Sequence, residues 1–185
     1  GQLGRELERQ LSSVGSVAAF PRSALDITNH RAVRDAVLAI HPYIIVNAAA
    51  YTAVDKAETD AERANAVNAE AVADLAQIAQ KEGAWLIHYS TDYVFDGSGA
   101  QPWSVTDNPK PKNAYGRSKI KGEQGIITSG CVHAILRTSW VVSAHGNNFV
   151  KTMRRLSETR DHLIIVDDQI GGPTCACDIA QTCLD

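Results

Sequence analysis

The sequence lacks the features typical of membrane, secreted and nucleic-acid-binding proteins. No apolar run approaches the ~20 residues that a helix needs to cross a bilayer, and no basic segment followed by an apolar one opens the chain as a secretory signal would. There are 18 basic and 21 acidic side chains, for a net charge of -3, so no basic excess attracts nucleic acid or an anionic membrane. We therefore expect a cytoplasmic protein without nucleic-acid or membrane partners.

Patterns of metal ligands are also missing. The four cysteines have no paired Cys-x-x-Cys arms, and none of the six histidines has a His-x-x-x-His spacing. Cys175 and Cys177 resemble a fragment of a metal site, but reduced thiols are the simpler interpretation in a cytoplasmic protein. We predict no bound metal ion, reduced cysteines, and histidines, His88 among them, that are structural or lie on the surface.

Short apolar runs alternate with amphipathic segments along the 185 residues. This alternation is typical of an α/β fold in which helices cover both faces of a doubly wound parallel sheet. The predicted strands are 17–20, 43–48, 85–89, 132–137 and 163–166. The predicted helices are 5–11, 26–40, 61–82, 113–128, 147–158 and one that begins near Cys177. We predict one dinucleotide-binding domain, 1–185, that is incomplete at both ends, because no strand precedes Gly1 and the last helix reaches Asp185.

Two segments suit a nucleotide. The turn Gly1-Gln2-Leu3-Gly4 leads into a helix, whose first backbone N–H groups can hold a phosphate. With only two glycines, a frayed terminal turn is an equal alternative. The run Asn47-Ala48-Ala49-Ala50 ends a predicted strand, where small side chains let the backbone lie against a flat ligand. Taken alone, this run is better explained as a packing site for small residues.

Two further segments suit proton transfer. Ser90-Thr91-Asp92 places hydroxyls at the end of a predicted strand, where they can bind a carbonyl oxygen or cap a turn. Tyr115 and Lys119 lie four residues apart on one face of a predicted helix. A lysine ammonium near a tyrosine lowers the pKa of its phenol. We therefore expect Lys119 to lower the pKa of Tyr115, although a surface pair is the simpler explanation of this spacing alone.

The order of these segments resembles the extended short-chain dehydrogenase/reductase family. The resemblance extends over nearly the whole chain, through the runs Gly1–Gly4, Ile45–Glu58, His88–Asp96, Tyr115–Lys119, Arg137–Val141, Gly146–Met153 and Asp168–Thr174. It implies a Rossmann-like fold that here lacks its first strand and its C-terminal substrate lobe. It further implies an NADPH- or NADH-dependent reductase of a nucleotide sugar, with dTDP-4-dehydro-L-rhamnose as the substrate and dTDP-L-rhamnose as the product.

The resemblance also implies roles for individual residues. Tyr115 would protonate the reduced sugar, Lys119 would support Tyr115 and hold the ribose, and Thr91 would hold the 4-keto oxygen. Arg22 stands where relatives often carry an acid and would suit the 2′-phosphate of NADPH. The remaining cofactor contacts would be Gly1, Gln2, Leu3, Asp26, Ile27, Ala49, Ala50, Tyr51, Thr52 and Tyr89, and the sugar nucleotide would contact Asp92 and Trp140.

Other functions stay open at this point. The regulatory subunit of methionine adenosyltransferase resembles the same family and binds a dinucleotide without reducing a sugar. Epimerases, dehydratases and other nucleotide-sugar reductases share the Tyr-x-x-x-Lys spacing, although Tyr93 after Asp92 disfavours a dehydratase, which would need a second acid there. A homodimer is a further option that the sequence leaves undecided.

Overall fold

The computed structural model describes residues 1–184, and the chain forms two compact units. One unit comprises residues 20–137, and the other comprises residues 1–19 together with the segment from Thr138 onward. Within the described residues, no helix is both long and apolar enough to cross a membrane.

The unit of residues 20–137 is built on a three-stranded sheet. Its strands are β1 (Ile44–Asn47), β2 (Trp85–Thr91) and β3 (His133–Thr138), in that order across the sheet. β1 and β2 are parallel, and Asn47 lies opposite His88. Because parallel strands end at the same edge of a sheet, the residues that follow β1 and β2 share one edge, where ligands of such folds bind.

Helices pack around this sheet, and side chains cap two of them. They are α2 (His30–Ile40), α3 (Ala61–Asn65), α4 (Ala71–Glu82) and α5 (Ala114–Ser129). The Asn29 side chain accepts a hydrogen bond from the Ala32 N–H at the start of α2, and Asn113 accepts one from the Gly116 N–H at the start of α5. Each cap satisfies a backbone donor that has no partner inside its helix.

The predicted helix 61–82 is one continuous segment with an irregular centre. A π turn, Ala66–Glu70, separates α3 from α4. Asn68 lies within this turn and is 1% exposed. A π turn inserts one residue into the helix and commonly marks a functional site, and here it places a polar side chain inside the protein. The apolar stripe in the sequence did not show this interruption.

The core of this unit lies between α2, α4, α5 and the sheet. Its members are aliphatic or small and less than a tenth exposed. They are Val33, Val37, Val72, Leu75, Ala76, Ala79, Ala84, Leu86, Ile126 and Cys131.

Two glycines of α5 permit unusually close packing. A Cβ atom on Gly122 would lie 2.1 Å from the Asn68 carbonyl oxygen, and one on Gly116 would lie 2.1 Å from the Tyr93 carbonyl oxygen. No side chain fits at such distances. The absence of side chains at these two positions therefore lets α5 lie against the π turn and against the segment that follows β2.

The second unit contains three helices and a pair of short strands. The helices are α1 (Gln2–Leu11), α6 (Phe149–Ser157) and α7 (Ala176–Gln181), and the parallel strands are β4 (Val141–Val142) and β5 (Thr174–Cys175). α1 packs against α7, and the Gln10 side-chain amide donates to the Cys177 carbonyl at 2.9 Å.

The predicted α/β fold with parallel strands is confirmed, whereas two of the predicted strands are wrong. Residues 17–20 and 163–166 form no strand, and their apolar side chains are exposed, including Phe20 at 49% and Ile164 at 106%. An apolar run becomes a strand only where a neighbouring strand can accept its hydrogen bonds, and neither run has such a neighbour among the described residues.

The expectation of reduced cysteines is wrong for one pair. Cys175 and Cys177 are joined by a disulfide, whereas Cys131 and Cys183 are free. The two sulfurs and the Asp178 carboxylate form a group whose ligand atoms lie within 4.8 Å of one another. With both sulfurs in the disulfide, this group offers no thiolate, the form in which cysteine binds metals.

Candidate active site

The carboxyl end of β2 carries a buried threonine. Thr91 is 5% exposed and precedes the 3-10 turn Asp92–Val94. Its hydroxyl accepts a hydrogen bond from the Tyr93 N–H at 3.2 Å and donates one to the Asp92 carboxylate at 3.1 Å. Burial raises the pKa of Asp92. Thr91 thus caps the turn that follows β2. The same contacts hold its hydroxyl in place at the edge of the sheet.

Tyr115 lies beside this threonine. The Thr91 hydroxyl interacts with the Tyr115 phenol, and the Tyr93 ring meets the Tyr115 ring edge-on with centroids 5.8 Å apart. Tyr115 is 9% exposed. Burial raises the pKa of Tyr115 to about 12, and the nearby Thr91 hydroxyl opposes this in part. Tyr115 is therefore a protonated phenol at neutral pH.

Lys119 lies one turn further along α5 and is 1% exposed. Its Nζ donates to the Tyr89 carbonyl at 2.6 Å and lies 3.3 Å from His88 Nε2. Burial lowers the pKa of Lys119 to about 8, while the Glu123 carboxylate opposes the shift. The prediction that Lys119 lowers the pKa of Tyr115 is wrong for this structure. Burial of the phenol has the largest effect on that pKa and raises it, and the Lys119 amine donates to the backbone of β2.

His88 connects Lys119 to β1. The His88 ring is 0% exposed, and its Nδ1 lies 3.1 Å from the side-chain nitrogen of Asn47. The Asn47 oxygen accepts a hydrogen bond from the Ala49 N–H at 3.0 Å. Burial, together with the nearby Lys119, lowers the pKa of His88 well below its usual range. A row of hydrogen-bonding groups thus runs from β1 through His88 to the lysine.

A buried ion pair lies behind the strand end. The Ser90 hydroxyl donates to Glu123, which is 2% exposed. Arg137 of β3 binds the same carboxylate through two hydrogen bonds, of 3.0 and 2.6 Å, and its guanidinium lies 5.0 Å from the centre of the Phe95 ring. Ser90 is therefore committed to Glu123, and Thr91 alone presents its hydroxyl to Tyr115.

Asn68 holds the segment that follows β1. Its oxygen accepts from the Tyr51 N–H at 2.9 Å, and its nitrogen donates to the Tyr51 carbonyl and the Ser118 hydroxyl, both at 3.0 Å. Tyr51 in turn donates its phenol proton to Asp60 at 3.2 Å. The backbone at Tyr51 is thus fixed from the π turn, next to the small residues 48–50.

The other predicted cofactor residues of this unit lie mainly at its surface. Ala49, Ala50 and Thr52 are exposed after β1, whereas Tyr89 is 7% exposed. Arg22 lies 3.6 Å from Asp26 in an exposed ion pair. Asp26 also accepts hydrogen bonds from the Thr28 N–H and hydroxyl, which lower the pKa of its carboxyl. Ile27 packs against the core.

Four predicted residues belong to the other unit. Gly1 caps the N-terminus of α1 without a side-chain hydrogen bond, and a Cβ atom there would meet nothing within 4 Å. Gln2 and Leu3 form the first turn, and the Gln2 side chain is bound to Val141 and Asn148. Trp140 is 45% exposed, has a positive φ of 43°, and stacks on Gly171, where a Cβ atom would lie 3.0 Å from its ring.

Several residues of this centre escaped the sequence analysis. Asn68 had a signal, since it is the polar member of an otherwise apolar helical stripe. His88 and Glu123 carried none, because nothing in their spacing reveals that they are buried. Their partners come from other strands, and only the folded chain brings these together.

Comparison with known proteins identifies the family. The family described as the RmlD substrate binding domain matches residues 1–185. The chain is 48% identical over 180 residues to dTDP-4-dehydrorhamnose reductase of Escherichia coli strain K12, covering 95% of this chain and 60% of that protein.

Solved structures agree over the whole chain. That of dTDP-4-dehydrorhamnose reductase from Bacillus anthracis, in complex with NADP, has a TM-score of 0.96 and 41% identity. Its counterpart from Clostridium acetobutylicum has a TM-score of 0.95 and 41% identity. Both matches cover 100% of this chain and 66% of the other.

The match confirms two predictions, namely the Rossmann-like α/β architecture and the resemblance to nucleotide-sugar reductases. The chain spans about 60% of the length of the curated relatives that it matches. The chain belongs to the RmlD substrate binding domain family.

Proposed function

We propose that this chain carries the proton-transfer centre of an NADPH- or NADH-dependent reductase that converts dTDP-4-dehydro-L-rhamnose to dTDP-L-rhamnose. The observation that carries the proposal is the interaction of the Thr91 hydroxyl, at the end of β2, with the buried phenol of Tyr115. A phenol and a hydroxyl held together can both reach one carbonyl oxygen, which ketone reduction requires. The relatives named as reductases support the choice of substrate.

Tyr115 acts as the acid. Its raised pKa of about 12 keeps the phenol protonated at neutral pH, and an alkoxide is basic enough to take that proton. The nicotinamide cofactor supplies the hydride to C4 when bound. Thr91 holds the 4-keto oxygen beside the phenol, so that the proton moves as negative charge develops on that oxygen. A positioned acid of this kind contributes ~10²–10⁴-fold to the rate.

The residues fit a dinucleotide. The first turn of α1 has no side-chain cap, which leaves the backbone N–H groups after Gly1, at Gln2 and Leu3, to bind a pyrophosphate. Ala49, Ala50 and Thr52 are exposed after β1, and with Tyr51 and Tyr89 they would line the nicotinamide. Lys119 would hold ribose hydroxyls of the bound cofactor.

The adenosine end would lie at Arg22, Asp26 and Ile27. Arg22 favours NADPH, because a guanidinium binds a 2′-phosphate well, and its exposed pairing with Asp26 is weak enough to rearrange.

The remaining assignments are proposals of the same kind. Asp92 and Trp140 contact the sugar nucleotide, and the positive φ of Trp140 is a costly conformation of the sort found at binding sites. Residues 1–185 form a dinucleotide-binding domain that acts in the cytoplasm, where a homodimer is compatible with the family. The regulatory-subunit alternative is not favoured, since Thr91, Tyr115 and Lys119 are all in place.

The test is turnover by the full-length protein with NADPH and dTDP-4-dehydro-L-rhamnose. We expect NADPH consumption in equal amount to the dTDP-L-rhamnose formed. NADPH binding without oxidation in the presence of the keto sugar would contradict the proposal and favour the regulatory binding function. Oxidation by another keto sugar alone would preserve the mechanism and overturn the choice of substrate.

A further inference from the structure

We propose that His88 is a positioning residue for Lys119, fixed by Asn47 in the tautomer that carries its proton on Nε2. The inference deepens the proposed function and rests on it, because it concerns the lysine that supports the proton donor. The tautomer itself follows from hydrogen bonds that exist whether or not the protein reduces a sugar.

The orientation of Asn47 comes first. Its side-chain oxygen accepts a hydrogen bond from the Ala49 N–H at 3.0 Å, so its amide nitrogen is the atom that faces His88 Nδ1, at 3.1 Å. An amide nitrogen donates and does not accept. His88 Nδ1 must therefore be the acceptor in this contact and carries no proton.

The proton of His88 is then located on the other nitrogen. The ring is 0% exposed, and its burial lowers the pKa of His88 well below the usual range, so it is neutral. A neutral imidazole carries one proton. With Nδ1 accepting, that proton lies on Nε2, which is 3.3 Å from Lys119 Nζ.

This arrangement favours one form of Lys119. Nζ already donates to the Tyr89 carbonyl at 2.6 Å. A neutral amine can also accept the His88 Nε2–H through its lone pair, whereas an ammonium has three N–H groups and no lone pair. In a protonated Lys119, an N–H group would face the N–H group of His88, with no acceptor between them. A neutral Lys119 can accept from His88 and donate to the Tyr89 carbonyl, so that every contact from Ala49 to Tyr89 is a hydrogen bond.

Titratable groups from several elements lie around Lys119. Glu123, one turn further on α5, raises the pKa of Lys119, but Arg137 of β3 binds that carboxylate directly. Tyr115, on the same helix, is a neutral phenol. Asp92, from the turn after β2, acts on Tyr115. Burial lowers the pKa of Lys119 to about 8 despite Glu123, and the His88 tautomer acts in the same direction.

The consequence for catalysis is a lysine that readily gives up a proton. When the Lys119 ammonium gives up a proton to solvent, it becomes a neutral amine, whose lone pair accepts from His88 Nε2–H. A proton donor works best when its pKa lies near the working pH. His88 and Asn47 favour such a pKa for Lys119.

The direct test is the protonation of the His88 ring in the full-length protein. With 15N-labelled histidine, NMR distinguishes a protonated ring nitrogen from an unprotonated one. We expect an unprotonated Nδ1 and a protonated Nε2 throughout the neutral pH range. A proton on Nδ1, in either the other tautomer or an imidazolium, would overturn the inference. This result is independent of turnover, so it separates a failure here from a failure of the proposed reaction.

A substitution tests the effect on Lys119. In His88→Gln, the amide can turn its oxygen toward the ammonium, so the pH at which Lys119 titrates should rise by about one unit or more. NMR of the lysine Cε and the alkaline limb of kcat/KM against pH should both report the rise. His133→Gln, at a half-buried histidine of β3 whose Nδ1 contacts the Cys131 carbonyl, should leave this titration unchanged.

An unchanged or lowered titration of Lys119 in a folded His88→Gln protein would contradict the inference. If that variant does not fold, the 15N NMR measurement of the His88 ring nitrogens in the unaltered protein tests the inference.

Discussion

Replacing Arg137 by methionine leaves the Glu123 carboxylate buried with one partner, the Ser90 hydroxyl. Glu123 is 2% exposed and loses two hydrogen bonds, of 3.0 and 2.6 Å. Breaking a buried ion pair on one side costs ~3–5 kcal/mol. The Arg137 side chain is 24% exposed, so water can reach the Glu123 carboxylate once the guanidinium is removed, and we expect the lower end of this range, about 3 kcal/mol.

Urea unfolding of the full-length protein measures this free energy. Arg117→Met is the matched control, because its ion pair with Glu58 is 3.6 Å long and about half exposed at both side chains. Exposed pairs contribute little, so the control should change the stability by less than ~0.5 kcal/mol.

The double variant Arg137→Met with Glu123→Gln separates the cost of an unpaired charge from the worth of the pair. Removing both charges should recover at least ~1 kcal/mol relative to Arg137→Met alone, because no unpaired ion remains. Additive losses in the double variant, or an Arg137→Met protein as stable as the Arg117→Met control, would refute the reasoning.

Two further substitutions test the packing around the π turn by the same unfolding measurement. Asn68→Asp replaces the donor to Tyr51 and Ser118 with a buried carboxylate oxygen and should cost ~2–4 kcal/mol. Asn65→Asp is the control, because the Asn65 side chain donates to the Ala61 carbonyl of its own helix and accepts from the exposed Lys121 ammonium. An equal loss in Asn65→Asp would show that the helix and not the buried contact is responsible. Gly122→Ala places a Cβ atom 2.1 Å from the Asn68 carbonyl oxygen and should destabilise the protein by ~1–3 kcal/mol. Gly4→Ala is the control, because a Cβ atom at this position in α1 lies in open space. It should be neutral or stabilise the protein by up to ~1 kcal/mol. Tolerance of Gly122→Ala would mean that α5 and the π turn can separate easily.

The sequence was informative where a pattern depends on neighbours along the chain. β1 and β2 were predicted from their short apolar runs, and α2 and α5 from amphipathic segments. The structure shows that an asparagine side chain caps each of these two helices. Residues 17–20 and 163–166 have similar composition, yet they form no strand. Composition shows that a segment can pair, but pairing needs a second strand in the right place.

The sequence allowed us to predict that three side chains come together, but it did not predict the pKa shifts at this place. The order of the segments placed Thr91, Tyr115 and Lys119 in one centre, and the structure brings all three to the end of β2. We expected Lys119 to lower the pKa of Tyr115, but burial of the phenol raises it. His88 escaped notice because its importance lies in the contacts of two buried ring nitrogens, which no spacing in the sequence encodes.

Tyr115→Phe in the full-length protein tests the central claim most directly. This change removes only the phenol oxygen, and Tyr43→Phe, at a tyrosine that is 91% exposed, is the matched control. With NADPH and dTDP-4-dehydro-L-rhamnose, kcat of the Tyr115 variant should fall by ~10²–10⁴-fold, while the control keeps the rate of the unaltered protein. A Tyr115→Phe protein that turns over as fast as the control would contradict the assignment of Tyr115 as the proton donor.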